Sequence, residues 1–336
     1  MGGMRIGTAS CLLLAALAGG QRAEAVQPSP FVEHVFSPTA TQPCTPDPAV
    51  PCIDPALADH HAWFNPAATN NQLLVYLPGT GDVPANALLF QQLGADLGYH
   101  VIGLMYEDGN FIAALCRNDP DPDACFFNAR FEVVYGADTS TKLQVSPTNS
   151  VVNLLTKSLR YLAATYPDEG WSPFLINSEL QWSQIALSGF SQGSGNAVMI
   201  ARHSVVPRVV MLSGIPDRLP LGPEPCRGPA SWMSTHATPS ARYWGIAHDQ
   251  DSFYYPHICA NWVALGMSAF GPLVQVETSE PPYAGTHMLI TDLKPHEGPH
   301  YTYAHQSTAF DRFTPHGHGE ATLTPAWTYA LTASEE

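Results

Sequence analysis

Gly189-Phe190-Ser191-Gln192-Gly193 is the stretch of this chain whose residue types and spacing point to covalent chemistry. A serine with glycine two places before and two places after it can stand on a sharp strand-to-helix turn. Its hydroxyl is then presented clear of the backbone and can attack an acyl carbon. The glycines are needed because such a turn brings backbone segments too close together for a side chain between them. The pattern occurs once. A serine nucleophile also needs a base to take its proton and a carboxylate to orient that base. The competing reading is a Gly-Ser turn without chemistry, so the surrounding elements matter.

Residues 184–189 (QIALSG) read as a short buried strand and residues 192–203 as the helix that follows. That order aims the positive end of the helix at Ser191, where negative charge would develop on an acyl intermediate. The same grammar runs through most of the chain. LLVYL (73–77), residues 100–106, RVVML (208–212), RYWGIA (242–247) and residues 273–277 read as strands. Helices are expected over 87–98, over 258–269 and on the face marked by Val151, Leu155, Leu159 and Leu162. Thr148 or Asn149 is the expected cap of that last helix, with Pro167 beyond its end. The stretch around Cys116 and Cys125 reads as irregular. Buried strands alternating with helices require crossovers, hence a parallel sheet covered on both faces: an α/β doubly wound domain. Residues 218–240 and 278–305, rich in Pro, Gly, Ser, Thr and His, are the expected rim of a substrate site. There is no internal repeat and no sign of a second domain.

On these residues the chain resembles the α/β-hydrolase superfamily from about Gln72 to Ala333. GFSQGSGNA, Gly170-Trp171 and PAWTYAL (325–331) are similar to a set of largely uncharacterised exported bacterial serine hydrolases. That group carries histidine where this chain has Phe190 and Asn196, departures that spare the nucleophile and bear on pocket polarity. The resemblance implies an oxyanion hole made by the amide of Gln192 and an amide of the LPGTGD loop, Thr80 or failing that Gly81. It also implies the chain order serine, acid, histidine. The acid should follow RYWGIA, which selects Asp251, with Asp249 next and Asp217 a remote option. The base should come from the last part of the chain, where His287, His296, His300, His305, His316 and His318 compete. His305, in the loop leading to the terminal helix, is the choice, with His300 next.

The histidine-rich tail does not have metal-site spacing: there is no His-Glu-x-x-His, and His316-x-His318 alone is weak. No phosphate-binding or dinucleotide glycine loop is present, and the chemistry expected requires no cofactor.

Residues 1–25 read as a secretory signal: Arg5, the apolar run 11–20, then Ala23-Glu24-Ala25 as a cleavage site. No stretch is long and apolar enough for a membrane-spanning helix, so an exported protein, periplasmic or secreted, is expected. Residues 26–71, rich in proline, read as an extended lead-in wrapping the domain formed by 72–336. Removing Cys11 leaves Cys44, Cys52, Cys116, Cys125, Cys226 and Cys259, an even set that suits an oxidising compartment. Fifteen pairings are possible for six cysteines. The two short loops favour Cys44–Cys52 and Cys116–Cys125, leaving Cys226 for Cys259.

Composition bounds the partners. The 336 residues carry 14 Lys and Arg against 29 Asp and Glu, a formal charge of −15, the opposite of a nucleic-acid footprint. Charged residues are 13%, while 31 prolines and 26 glycines imply many fixed turns. The reading is an exported serine hydrolase cleaving small or polymeric carboxylic esters through an acyl-enzyme. A peptidase or polyester depolymerase would use the same residues. A non-catalytic binding module of the same fold is the rival from another class. Trp232, Trp244, Tyr254, Tyr255, Trp262 and Tyr283 fall near the expected rim, where they would line an acyl pocket or pack the core. Oligomeric state is not legible.

Overall fold

The computed structural model describes residues 31–45, 51–67, 70–219, 228–251, 255–317 and 319–335. The expected signal segment 1–25, Cys226, Tyr254 and His318 lie outside the described residues.

Nine strands form one sheet: β1 (Val32–Phe36), β2 (His60–Phe64), β3 (Leu73–Leu77), β4 (His100–Gly103), β5 (Ile185–Phe190), β6 (Val209–Leu212), β7 (Tyr243–His248), β8 (Val274–Gln275) and β9 (Met288–Thr291). Their spatial order is β1-β2-β4-β3-β5-β6-β7-β9-β8. From β4 to β8 every pairing is parallel; β2 and β1 are added antiparallel at one edge. The central strands are buried along their whole length because both faces are covered; LLVYL and VVML are continuous apolar runs, and the one polar side chain of IALSGF, Ser188, donates its hydroxyl to the Val75 carbonyl. Alternate residues go to opposite sides, Leu73, Val75 and Leu77 to one core and Leu74 and Tyr76 to the other.

Helices α1 (Leu88–Asp96) and α6 (Thr324–Thr332) cover one face. The other carries α2 (Pro122–Tyr135), α3 (Val151–Thr165), α4 (Gln192–His203) and α5 (Tyr255–Ala264). This is the expected mixed α/β class, with an α/β-hydrolase-like layering.

Three local expectations need correction. The lead-in is not only extended wrapping, since β1 and β2 come from it and pair with each other and with β4. At five residues each, with histidines among their apolar positions, they give little alternation to read. The stretch read as irregular contains α2, whose core side chains face several directions, so no single apolar stripe marks it. Its ends are nevertheless written in the chain: Asp121 accepts from the amide of Ala124, Pro122 follows, and Gly136 closes the helix at φ 71°. The cap of α3 is Ser150, not Thr148 or Asn149.

Disulfides join Cys44 to Cys52 and Cys116 to Cys125. Cys259 is also disulfide-bonded. No helix among the described residues is long and apolar enough to cross a membrane.

Candidate active site

Ser191 stands between β5 and α4 with φ 51° and ψ −114°, a conformation a non-glycine residue rarely adopts. The turn is possible only because its neighbours lack side chains. A Cβ on Gly193 would lie 2.1 Å from the carbonyl oxygen of Leu77 and 2.5 Å from that of Pro78. One on Gly189 would lie 2.4 Å from the carbonyl carbon of Gly193. The sharp turn lifts the serine hydroxyl above the sheet at the carboxyl end of its strand.

His305 meets that hydroxyl. Its Nε2 lies 2.9 Å from Ser191 Oγ and its Nδ1 lies 2.5 Å from Asp251 Oδ2. With Nδ1–H donating to the carboxylate, Nε2 is left to accept from the serine. Asp251 is 6% exposed and follows β7 at the end of a turn in which its amide donates to the carbonyl of His248. His305 leads into a short helical turn (Gln306–Thr308) that is anchored from three sides. Thr308 pairs its hydroxyl with Ser213, its carbonyl accepts from Trp327 Nε1, and the nearby Asp311 carboxylate accepts from the amides of Leu88 and Leu89.

The competing residues are elsewhere. Asp249 turns towards His248 and Gln250. Asp217 is buried in an ion pair with Arg130. His300 is exposed with φ 49°, His287 stacks between Trp244 and Phe270, and His296 packs on His316. Among the described residues no group of three or more His, Cys, Asp or Glu is arranged to hold a metal.

Thr80 and Gln192 are also brought together. Thr80 Oγ1 donates to Gln192 Oε1 at 3.0 Å, and that oxygen accepts the Ile112 amide at 3.0 Å. Gln192 Nε2 donates to the Asp108 carbonyl at 3.1 Å. One buried side chain thus ties the 79–82 turn and the 108–112 loop to the start of α4. The amide of Gln192 opens that helix, where no intrahelical acceptor exists. The 79–82 turn is closed by Asp82 N–H to Gly79 O, and the Asp108 carboxylate accepts from the amide of Asp82 at 3.2 Å. Burial first, and the charge of Asp82 next to it, push the Asp108 carboxyl up to about 7 against that hydrogen bond. Burial also raises Asp82, opposed by the Asn86 amide that donates to it.

These residues open onto a cleft of about 660 Å³, within the range of small-molecule sites. Phe111, Phe190, Tyr301 and Phe310 supply aromatic wall, while Thr80, Asp82, Asn86 and Gln250 supply polar groups. Among the described residues no lysine or arginine lines it. Phe190, one of the two departures from the resembled group, packs its ring on His305 and Phe310, which makes that side of the serine apolar.

Of the two expected rim loops, 278–305 contributes Tyr301, Thr302, Ala304 and His305. Residues 218–240 contribute nothing among those described, because Trp232 folds inward to donate its Nε1–H to Asp217. Trp244, Trp262 and Tyr283 are likewise core residues, and Tyr255 packs against the core from the start of α5. Sequence reasoning missed Phe111, Asn86, Asp108, Phe310 and Arg130. Only Arg130 left a signal, as the one cation in CFFNARFEVVY (125–135).

Neither a scan of protein-family models nor a search of curated proteins finds a match to this chain.

Proposed function

We propose that the chain is a serine hydrolase of the α/β-hydrolase superfamily that cleaves carboxylic esters through an acyl-enzyme. One observation carries the reading: the unbroken hydrogen-bonded series from Ser191 through His305 to Asp251 at the base of an open cleft. As the Oγ–carbon bond forms, the serine proton passes to His305 Nε2, and Asp251 holds the imidazolium in place. The amides of Gln192 and Thr80, or failing Thr80 that of Gly81, receive the negative oxygen. Collapse breaks the ester bond, and the alcohol leaves with the proton held by His305. Water then gives a proton to His305 and its hydroxyl to the acyl carbon; as the bond to Oγ breaks, His305 returns that proton to Ser191 and the acid is released.

A non-catalytic binding role would leave serine, histidine and acid free to drift apart, and their contacts favour the catalytic reading. The aromatic walls and the absence of a lining cation among the described residues suit uncharged esters with an apolar acyl group. Export after cleavage near Ala25 is part of the proposal, supported by the disulfides. The test is nitrophenyl-ester turnover by wild type and Ser191→Ala. A fall of about 10⁴-fold or more with an unchanged melting temperature is expected; undiminished turnover would remove Ser191 from the mechanism.

A further inference from the structure

Gly195 lies in the first turn of α4, and the serine turn does not require it. A Cβ there would stand 2.1 Å from Cζ of Arg130 and 2.3 Å from its Nη1. The missing side chain is where a guanidinium fits against the helix that begins at the candidate nucleophile. Arg130 and Asp217 are both wholly buried. Arg130 Nε donates to Asp217 Oδ2 at 2.6 Å, and Nη2 pairs with Oδ1. Nη1 donates to the Gln192 carbonyl at 2.9 Å and to Asn196 Oδ1 at 3.0 Å. Asp217 is held in turn by Trp232 Nε1 at 3.1 Å, and its carbonyl by Asn261 Nδ2 at 2.7 Å.

Stability alone does not account for this arrangement. Burying two charges is costly, and well-packed apolar side chains in place of such a pair are often no less stable. Nor is it chiefly a source of positive potential, because Asp217 neutralises Arg130 within the same cluster. What remains is geometry. Gln192 is gripped at its carbonyl by Arg130, its side chain grips Thr80 and Ile112, and its amide is the proposed oxyanion donor. We propose that Arg130 is a positioning residue for the oxyanion hole, setting through Gln192 the spacing between the two donor amides. The inference rests on the hydrolase reading above.

Arg130→Lys keeps the charge but cannot bridge Asp217, Gln192 and Asn196 together, since an ammonium lacks the planar fork. Gly195→Ala keeps the arginine and displaces it. Competent serines are counted by titration with a fluorophosphonate, so that loss of folded protein does not masquerade as loss of rate. Per titrated serine, both variants should lose about 10- to 100-fold in kcat, with KM within about twofold. The inhibition constant of a trifluoromethyl ketone, whose adduct places an oxyanion in the hole, should rise by the same factor. The pH of half-maximal activity should stay fixed, since His305 is untouched. Unchanged kcat and ketone affinity per serine in either folded variant would overturn the inference and leave the ion pair structural. If Arg130→Lys does not fold, Gly195→Ala reads the same quantity. A wild type that neither titrates nor turns over ester would instead sink the hydrolase reading, and this inference with it.

Discussion

Nε2 of His305 lies 2.9 Å from Oγ of Ser191, although 114 positions separate the two residues in the chain. Neither residue arrives there by local structure alone. The serine is held by a strained turn between β5 and α4, the histidine by a loop whose far end is tied to α1 through Asp311. A contact assembled from such distant parts is a product of the whole fold, and its chemistry depends on the third member, Asp251.

Asp251→Asn should leave the fold intact and lower kcat by about 10³- to 10⁴-fold, because an amide at that position favours the wrong imidazole tautomer. Asp249→Asn, whose carboxylate faces His248 and Gln250, should stay within about twofold of wild type. Steady-state kinetics on one nitrophenyl ester decide it, and equal losses in both variants would count against the assignment.

Gly193→Ala should fail through the backbone. Its Cβ would meet the carbonyl oxygen of Leu77, which is paired with Gly189 in the sheet, and that of Pro78, which accepts from the buried Tyr106 hydroxyl. A loss of about 3 kcal/mol or more is expected, at the severe end for overpacking. Gly109→Ala, with open space around it, should leave the urea midpoint unchanged.

Asp108 gives a pH prediction. Its folded carboxyl titrates at about 7 against an ordinary value of 3.8, so between those limits the native state holds a proton that the unfolded chain has released. The stability it contributes is therefore fully present below pH 3.8 and is lost as pH rises through 7. Asp311, raised to about 6, acts in the same direction, while His60 and His287, lowered to about 3 and 4, act oppositely as pH falls below 6.5. Asp108→Asn isolates one contribution and keeps an acceptor for the Asp82 amide. Relative to wild type, the variant should gain about 3 kcal/mol on going from pH 5 to pH 8, since roughly two units of the separation lie above pH 5 and each is worth roughly 1.4 kcal/mol. Urea midpoints at the two pH values test it; parallel profiles would show that Asp108 does not titrate in this range.

Much of this architecture was legible in the chain. LLVYL is a wholly buried strand because its apolar run is uninterrupted, IALSGF is buried with its single hydroxyl, Ser188, bonded to Val75, and Gly189 and Gly193 announce the turn between β5 and α4. Ser191, Asp251 and His305, named from chain order and the resemblance, are brought within hydrogen-bonding reach. What was not legible depends on contacts rather than on pattern. Helix α2 carries Arg130 and Glu132 at buried positions, so a reading by apolar stripe misses it. Phe111 and Phe310 become cleft walls only when distant loops converge, and Trp232 leaves the expected rim because Asp217 draws it inward.

The Cys116–Cys125 bond links stability to the site. It joins the short helix Ile112–Cys116 to α2, and the amide of Ile112 supports Gln192 while Phe111 walls the cleft. Replacing both cysteines by serine should cost about 2 to 3 kcal/mol through the freed loop and also lower kcat. Thermal melts and ester turnover check the two effects, and a destabilised variant with full kcat would show that the bond does not support the site.

The most direct test of the central claim is to treat the folded protein with a fluorophosphonate and map the adduct by peptide mass. The account predicts one stoichiometric adduct on Ser191, absent in Ser191→Ala and slowed in His305→Ala. A folded wild-type chain that takes up no label, or takes it up on another residue, would contradict it.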